Sequence, residues 1–156
     1  SKINFRQRHY LIGNYYQYNT ATAGTGAAVT TDGANASASI CPSGTGGNWV
    51  LPLSGTANNN VSGSFYNLLN QYNATSGTTG ATTIVQLPLA FVRSGYVDLS
   101  ASQARVIGAN GYSWTRTSNS ANDTYSLYFS SSIIYPSNYG NRYYGRPLRC
   151  LYPGSA

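Results

Sequence analysis

Four apolar residues in the first half of the chain have the i, i+3, i+4, i+7 spacing of one helix face: Phe65, Leu68, Leu69 and Tyr72. Ser62 or Ser64 precedes them, and serine is a common N-cap residue. The pattern predicts a helix over residues 62–72 whose apolar face lies in the core.

A second, shorter helix is predicted near the N-terminus. Leu11, Tyr15 and Tyr18 are spaced four and three apart, although a glycine between them lowers the helix propensity. Small polar residues and glycines fill segments 24–39 and 73–83, and we predict a loop for each.

Strand patterns begin at residue 84. The apolar, β-branched run 84–97 predicts a strand that Pro88 interrupts, and 98–110 predicts a loop with one short strand. From residue 111 onward apolar and polar residues alternate, which is the period of a strand with one buried face. The segment 143–151 predicts the last strand.

Alternation after residue 111 assigns side chains to the two faces of a sheet. Three residues share one face, and we expect them in the core with Trp114: Tyr125, Leu127 and Phe129. The residues that alternate with them share the other face: Ser126, Tyr128 and Ser130. Polar clusters at 118–123 and 136–141 predict turns. Short strands in succession, with one or two short helices, predict an α+β fold with an antiparallel sheet.

Charged residues are scarce, at 8% of the chain against ~25% in a typical soluble domain. The net charge of +6 is carried by scattered arginines without a basic run, so we expect no nucleic-acid partner. A polar, uncharged and tyrosine-rich composition favours an extracellular or cell-surface protein. The length of 156 residues predicts one domain over residues 1–156.

Residues that could catalyse a reaction or bind a metal are few. His9 is the only histidine, and three aspartates are the only acids, so we expect no enzyme activity, metal site or cofactor. Asn119, Asn122 and Asp123 could supply part of a calcium site, but a structural turn is the stronger interpretation. No apolar run reaches the ~20 residues that span a bilayer, and the start at Ser1 indicates a processed or trimmed chain.

Cys41 and Cys150 are the two cysteines, and their spacing matches no metal-binding motif. Either they form one disulfide that closes most of the domain into a loop, or they are two buried thiols.

The segment Gly111–Cys150 has the composition of a recognition surface. It holds seven of the 15 tyrosines together with many Asn and Ser residues, and tyrosine gives rigid, amphipathic contact area. The alternative is an ordinary sheet with a tyrosine-rich solvent face. The candidate ligand-binding residues are Arg116, Asn119, Asn122, Tyr128, Tyr135, Asn138, Tyr139, Asn141, Arg142 and Tyr143.

Motifs in four segments resemble those of a known family: Cys41–Gly44 with Trp49–Pro52, the helix at 65–69, Gly111–Thr117, and Asn141–Cys150. The family is the C-type-lectin-like group known as the major paralogous domain of Fibrobacter succinogenes. Its motifs are Cys-Pro-x-Gly-Trp-x-Leu-Pro-Thr, Gly-Tyr-x-Trp-Ser-Ser-Thr and a terminal Tyr-Gly-x-x-Val-Arg-Cys. The resemblance covers about residues 10–150.

The resemblance implies a C-type-lectin-like fold, a Cys41–Cys150 disulfide and kinship with the variable proteins of diversity-generating retroelements. Residues 45–48 interrupt the first motif, and Leu53 replaces its threonine. The family's upstream Trp-Met-x-x-Asn-Leu segment is absent, so the first strand is either removed or supplied by a neighbouring molecule. The Glu-Pro-Asn and Trp-Asn-Asp motifs of calcium-dependent lectins are absent as well.

Three functional hypotheses follow. The first is a non-catalytic extracellular binding or adhesion module whose partner is a protein or glycan on another cell surface. The second is a structural subunit of an extracellular filament or surface layer, a homopolymer formed by strand addition. The third is a formylglycine-type or other redox enzyme, which requires a free reactive cysteine.

Overall fold

A computed structural model describes residues 14–44, 48–56 and 61–152. In this part of the chain the helices are short: α1 (Tyr18–Ala21), a 3₁₀ helix (Thr25–Ala28), α2 (Ser64–Asn70) and α3 (Gly77–Thr83). The strands follow them: β1 (Tyr96–Asp98), β2 (Gln103–Arg105), β3 (Gly111–Ser118), β4 (Asp123–Phe129) and β5 (Ile134–Asn141). The architecture is α+β, and no described helix is longer than seven residues, far short of a bilayer crossing.

Both sheets are antiparallel. Strands β1 and β2 form a two-stranded sheet, and β3, β4 and β5 form a three-stranded sheet with β4 in the centre. Tyr112 lies opposite Tyr128, which lies opposite Tyr135. Residues paired directly across strands share a face, so these three tyrosines form one row across the sheet. The β3–β4 register shifts between residues 114 and 118, and the β4–β5 register shifts between 126 and 128.

One face of the three-stranded sheet packs against the helices. Leu127, Phe129 and Ile134 project from this face into a cluster with Phe65 and Leu69 of α2. The remaining buried members of the cluster are Ala74, Ile84, Leu89 and Phe91. Phe129 also packs over Gly111, where a Cβ atom would overlap the ring.

The other face carries a second core cluster around Trp114. Trp114 pairs with Ser126, on the face opposite to Leu127, and it packs with Tyr18 and Leu51. Its indole Nε1 donates a hydrogen bond to the Tyr16 carbonyl at 2.7 Å. The remaining buried members are Ala21 and Cys41.

A disulfide joins Cys41 to Cys150, across a sequence separation of 109 residues. Their Cα atoms are 5.7 Å apart, within the ordinary range for a bridge. The disulfide interpretation is therefore confirmed over that of two buried thiols. The bridge fastens the C-terminal segment to the Trp114 cluster.

Several sequence predictions are confirmed. Strands β3 and β4 lie where the alternation places them, and Tyr125, Leu127 and Phe129 are all buried. Trp114 is buried as expected, but it lies in the second cluster on the opposite face and does not share a core with Leu127 and Phe129. The short strand predicted within 98–110 is β2. Within 24–39 the only described helical or strand element is the 3₁₀ turn.

The predicted helix at 62–72 is observed as α2, with two corrections. Gly63 rather than a serine occupies the N-cap position, and the Ser64 hydroxyl accepts a hydrogen bond from the Leu53 amide. Tyr72 lies beyond the end of the helix and is exposed, so it does not belong to the core face. The helix predicted to include Leu11 and Tyr15 is wrong over its described part, because α1 begins at Tyr18; residues 11–13 lie outside the described residues.

The predicted strand at 84–97 is wrong over most of its length. Only Tyr96–Asp98 is a strand, while Ile84, Leu89 and Phe91 enter the helix-side cluster from irregular backbone. The predicted loop at 73–83 contains α3, which is made of small residues. Gly80 allows its close approach, because a Cβ there would lie 2.9 Å from Ala74 and from Ile134 Cγ2.

Two predictions in the C-terminal segment are also wrong. The turn expected at 136–141 belongs to β5, which tolerates Pro136 because an edge strand can lack a backbone donor. The strand expected at 143–151 is replaced by three isolated bridges to different segments. These are Gly145 with Val97, Arg146 with Tyr16, and Leu151 with Val50. A chain that changes partner every few residues forms no continuous ladder.

Candidate functional site

A continuous series of tyrosine rings lies on the Trp114 face of the sheet. The row Tyr135–Tyr128–Tyr112 continues through Tyr96 of β1 to Tyr144, which follows β5. Successive ring centroids along this path are 5.9, 5.3, 5.5 and 4.8 Å apart. All five residues are partly exposed, and we call them the tyrosine strip.

Arg146 lies beneath the tyrosine strip and is only 4% exposed. Its guanidinium carbon is 4.6 Å from the ring centroid of Tyr112, 4.8 Å from that of Trp114 and 5.8 Å from that of Tyr144. Nη1 donates to the Ser126 hydroxyl at 2.6 Å, while Nε has no partner among the described residues. Three aromatic faces therefore surround one buried cation.

Burial lowers the pKa of Arg146 to about 10, because the charged guanidinium loses its water. The group remains protonated at neutral pH. The ion pair recorded in the described part of the chain joins Arg105 to Asp98 at the surface, so Arg146 has no contacting carboxylate there. The tyrosine strip thus lies over a positive charge that no described carboxylate contacts, and Asp123 acts on it only at longer range.

The pKa of Tyr112 is raised, chiefly because the phenol is partly buried between its neighbours. The positive charge of Arg146 acts in the opposite direction and is the smaller effect. The strip tyrosine closest to Arg146 is consequently a neutral phenol at physiological pH. It offers an apolar ring with a polar hydroxyl, the combination that is common at protein contact surfaces.

The structure places three of the predicted ligand-binding residues on or beside the tyrosine strip. Tyr128 and Tyr135 belong to it, and Asn138 pairs with Ser126 on the same face. Tyr143 is well exposed and precedes Tyr144 in the chain. Tyr139 is exposed too, but it pairs with Tyr125, whose neighbours Leu127 and Phe129 share the opposite face.

A second group lies at the other end of the sheet, around the β3–β4 turn. Asn119 donates from Nδ2 to the Tyr125 hydroxyl at 3.0 Å, and the Asn122 carbonyl accepts from the Arg142 amide at 3.0 Å. Asn141 lies opposite Asp123 and accepts the Tyr143 amide on Oδ1 at 2.8 Å. These Asn side chains and carbonyls therefore stabilise the turn and the end of β5.

Arg142 is a structural residue and not a surface contact, which corrects its place in the predicted set. Its side chain is 5% exposed, and its guanidinium carbon lies 5.1 Å from the ring centroid of Tyr18. Nη1 donates to the Gly26 carbonyl at 3.2 Å, and Nη2 donates to the Val29 carbonyl at 3.1 Å. Nη2 also contacts the carbonyl of Ser120. Arg142 thereby fastens the 3₁₀ segment to the β3–β4 turn.

Arg116 is partly buried and lies away from the tyrosine strip. Its Nη1 reaches the Ala36 carbonyl at 3.5 Å, and its own carbonyl accepts the Tyr18 hydroxyl at 2.8 Å. Nine of the ten predicted residues thus divide among the strip and its edge, the turn end, the opposite face and the interior, and Tyr143 is exposed next to Tyr144 in the chain.

Sequence reasoning missed Tyr96, Tyr112, Tyr144 and Arg146 as site residues. The spacing of Tyr112 from Trp114 already put them on one face, and that signal alone could have identified Tyr112. Tyr96 and Tyr144 come from segments whose structure was predicted wrongly, so the sequence pattern gave no means to place them. Arg146 could be identified only from the structure, which shows its side chain buried beneath the rings.

Carboxylates, histidines and thiols are not clustered in this region. The described residues contain no group of three or more His, Cys, Asp or Glu side chains that could hold a metal ion. At the β3–β4 turn the amides of Asn119 and Ser120 both donate to the Asp123 carbonyl. The Ser120 hydroxyl accepts the amides of Asn122 and Asp123. The local chemistry is that of a hydrogen-bonded turn.

Comparison of the chain with family models, curated proteins and solved structures found no match.

Proposed function

We propose that this protein is a non-catalytic binding or adhesion module that acts outside the cell or on the cell surface. In this proposal the tyrosine strip is its contact surface, with Asn138 and Tyr143 beside it. Its partner is a protein or glycan on another cell surface. The domain has a C-type-lectin-like fold.

One observation carries this proposal: five partly exposed tyrosine rings are in unbroken contact from Tyr135 to Tyr144. Tyrosine loses little conformational entropy on binding, because it has only two side-chain torsions, and neighbouring rings restrict those further. A ring row that is already ordered provides contact area at low entropic cost.

Arg146 strengthens the proposal by fixing the rings from below. Its contacts with Tyr112, Trp114 and Tyr144 connect the tyrosine strip to the second core cluster. A contact surface held on a rigid sheet keeps its shape before the partner arrives. The net charge of +6 adds a general attraction for partners with acidic groups.

The disulfide supports the extracellular location, because such bonds persist in oxidising compartments. It also consumes both cysteines of the chain, which argues against the redox-enzyme hypothesis. The C-type-lectin-like fold rests on the sequence motifs, and the α+β architecture with antiparallel sheets is compatible with it.

An array of purified glycans and extracellular proteins tests the proposal with two matched variants. The first replaces Tyr112, Tyr128 and Tyr135 with Ser, and the second replaces Tyr139, which is exposed on the opposite face. We expect the strip variant to lose binding by at least about tenfold, since clustered aromatic contacts dominate interface energies. The Tyr139→Ser protein keeps it. Equal binding by wild type and strip variant refutes the assignment.

A filament or surface-layer subunit is the second candidate function. The observation that favours it is that β5 is an edge strand of the three-stranded sheet within the described residues. An edge strand can accept a strand from another molecule. Light scattering and electron microscopy over a range of protein concentrations test this function. Ordered fibres support it, whereas a monomer at every concentration contradicts it.

A further inference from the structure

A groove lies apart from the tyrosine strip, between α2 and the C-terminal segment. Its volume is about 470 Å³, and it shares no residue with the strip. Three aromatic residues line it: Trp49, Tyr72 and Tyr152. We call it the aromatic groove.

The aromatic side chains of the groove are accessible. Trp49 is 42% exposed and Tyr152 is 53% exposed, and their ring centroids are 5.5 Å apart with the planes tilted by 58°. Tyr72 is exposed just beyond the end of α2. Exposed aromatic rings gathered around one concave site are characteristic of ligand pockets and are not needed for the core.

Two side-chain amides, one in α2 and one at its C-cap, supply the polar groups of the groove. Asn67 and Gln71 both line it, and both residues are exposed. The helix orders this pair, because residues four apart lie on the same helix face. Neither side chain makes a hydrogen bond to any described residue, so both can donate to and accept from a ligand.

The charge of the groove restricts the ligand further. Among the described residues no carboxylate lines it, and the single charged residue there is Arg149. The Arg149 guanidinium is half-buried, contacts the Leu89 carbonyl through Nη1 and lies 4.3 Å from the Phe91 ring centroid. Arg149 keeps its charge, but its Nη1 and its planar face already have these internal partners. The groups left for a ligand are therefore the aromatic rings and the two uncharged amides.

From this combination we propose that the aromatic groove binds an uncharged oligosaccharide. A pyranose ring has a C–H face that packs on the electron-rich face of an aromatic ring. Its hydroxyl groups form hydrogen bonds of both polarities, which the amides of Asn67 and Gln71 match. The groove is separate from the contact surface of the proposed function, so either assignment can fail without the other.

The two tryptophans provide a direct readout. Trp49 lines the groove, whereas Trp114 is fully buried with its indole N–H bound to Tyr16. The ¹⁵N-labelled protein is titrated with cellohexaose, chitohexaose, maltohexaose and α-mannohexaose, each to about 10 mM, which covers affinities in the millimolar range. We expect at least one of them to shift the Trp49 indole resonance saturably while the Trp114 resonance stays in place.

Variants connect that shift to the groove. Trp49→Ala removes the reporting indole, so its saccharide affinity is measured by isothermal titration calorimetry. Trp49→Ala and Tyr152→Ala each weaken saccharide binding by about tenfold or more, because aromatic contacts that become buried on binding dominate small interfaces. Asn67→Ala weakens it by about three- to tenfold, the range of one hydrogen bond. Asn70→Ala is the matched control, since Asn70 is exposed on the same helix and does not line the groove. An unchanged Trp114 resonance reports that each variant is folded.

Three outcomes overturn the proposal. In the first, neither the four saccharides nor an apolar probe moves the Trp49 resonance. In the second, the apolar probe anilinonaphthalene sulfonate moves it and the saccharides do not, which means that the groove binds an apolar segment. In the third, Asn67→Ala and Asn70→Ala bind a saccharide equally. The strip variant with serine at 112, 128 and 135 keeps the Trp49 shift if the two sites are independent.

Discussion

The guanidinium carbon of Arg146 lies 4.6 Å from the ring centroid of Tyr112, and Arg146 is almost fully buried. This contact joins a partly exposed ring of the tyrosine strip to the interior of the domain. The cation has aromatic faces around it in place of a carboxylate. The order of the proposed contact surface therefore depends on a residue that a partner cannot reach.

The first prediction concerns Arg146 itself. Arg146→Ala should lower the free energy of unfolding by about 2–4 kcal/mol, because it leaves a cavity beneath three rings and removes their cation contacts. Relief of the desolvation cost that lowers its pKa offsets only part of this loss. Urea unfolding measures the change.

Arg105→Ala is the matched control for that measurement. Arg105 pairs with Asp98 at 3.5 Å, but its side chain is well exposed, so the substitution should cost no more than about 1 kcal/mol. If both variants lose the same free energy of unfolding, the buried contacts of Arg146 add no more stability than an exposed ion pair does.

The second prediction is a pH dependence that originates in Tyr18. Burial raises the pKa of this phenol above its ordinary value of 10.0, and its hydroxyl donates to the Arg116 carbonyl. The folded state keeps the proton where the unfolded chain loses it. The contribution of Tyr18 is thus complete below pH 10 and is lost as the pH rises through the folded pKa.

Tyr18→Phe isolates this effect. At pH 7 the variant should be less stable by about 1 kcal/mol, the value of one hydrogen bond. Above pH 10 the difference from wild type should narrow, because only the wild type loses stability through this group. Urea unfolding between pH 7 and pH 11 follows the difference, and a constant gap contradicts the prediction.

The third prediction concerns the disulfide. Replacement of Cys41 and Cys150 by Ser should lower the free energy of unfolding by about 4–5 kcal/mol, because the bridge closes a loop of more than 100 residues. Wild type in reductant should approach the variant. Reductant should leave the variant unchanged, which serves as the control, and no effect on wild type counts against the prediction.

The fourth prediction tests the packing of Gly111 against Phe129. Gly111→Ala should destabilise the domain by about 1–3 kcal/mol, because the added methyl group overlaps the Phe129 ring. Phe129→Leu opens space at that position. In the double variant the cost of alanine should fall by at least about 1 kcal/mol, which a double-mutant cycle measures. Additive losses would mean that the two residues do not interact.

Local patterns in the sequence located the elements whose period is regular. Alternation around Leu127 and Phe129 identified β4 and its buried face, and the four-residue pattern from Phe65 identified α2. The predictions of secondary structure were wrong where a segment does not pair regularly with one neighbouring element. Residues 84–95 fill the core without forming a strand, and 143–151 exchange partners every few residues.

The candidate site was predicted only in part, because residue type and local periodicity do not show which side chains meet in the folded chain. Tyr128 and Tyr135 were recognised because they lie in the tyrosine-rich segment. Tyr139 lies in the same segment and in the same strand as Tyr135, but on the other face of the sheet. The register shift between residues 126 and 128 changes which side chains align, and no local signal reveals it. Arg142 was predicted as a contact residue because it lies in the tyrosine-rich segment, but its side chain is buried.

The sequence by itself determined the α+β class, the face of β4 that carries Leu127 and Phe129, and the composition of a surface rich in tyrosine and poor in charge. These features depend on local periodicity and residue type. Only the tertiary structure decided that Tyr96 and Tyr144 join the sheet tyrosines, because their contacts bridge segments far apart in the chain. It also decided that Arg146 lies under those rings and that Trp49 and Tyr152 form a separate groove, since long-range packing sets burial and proximity.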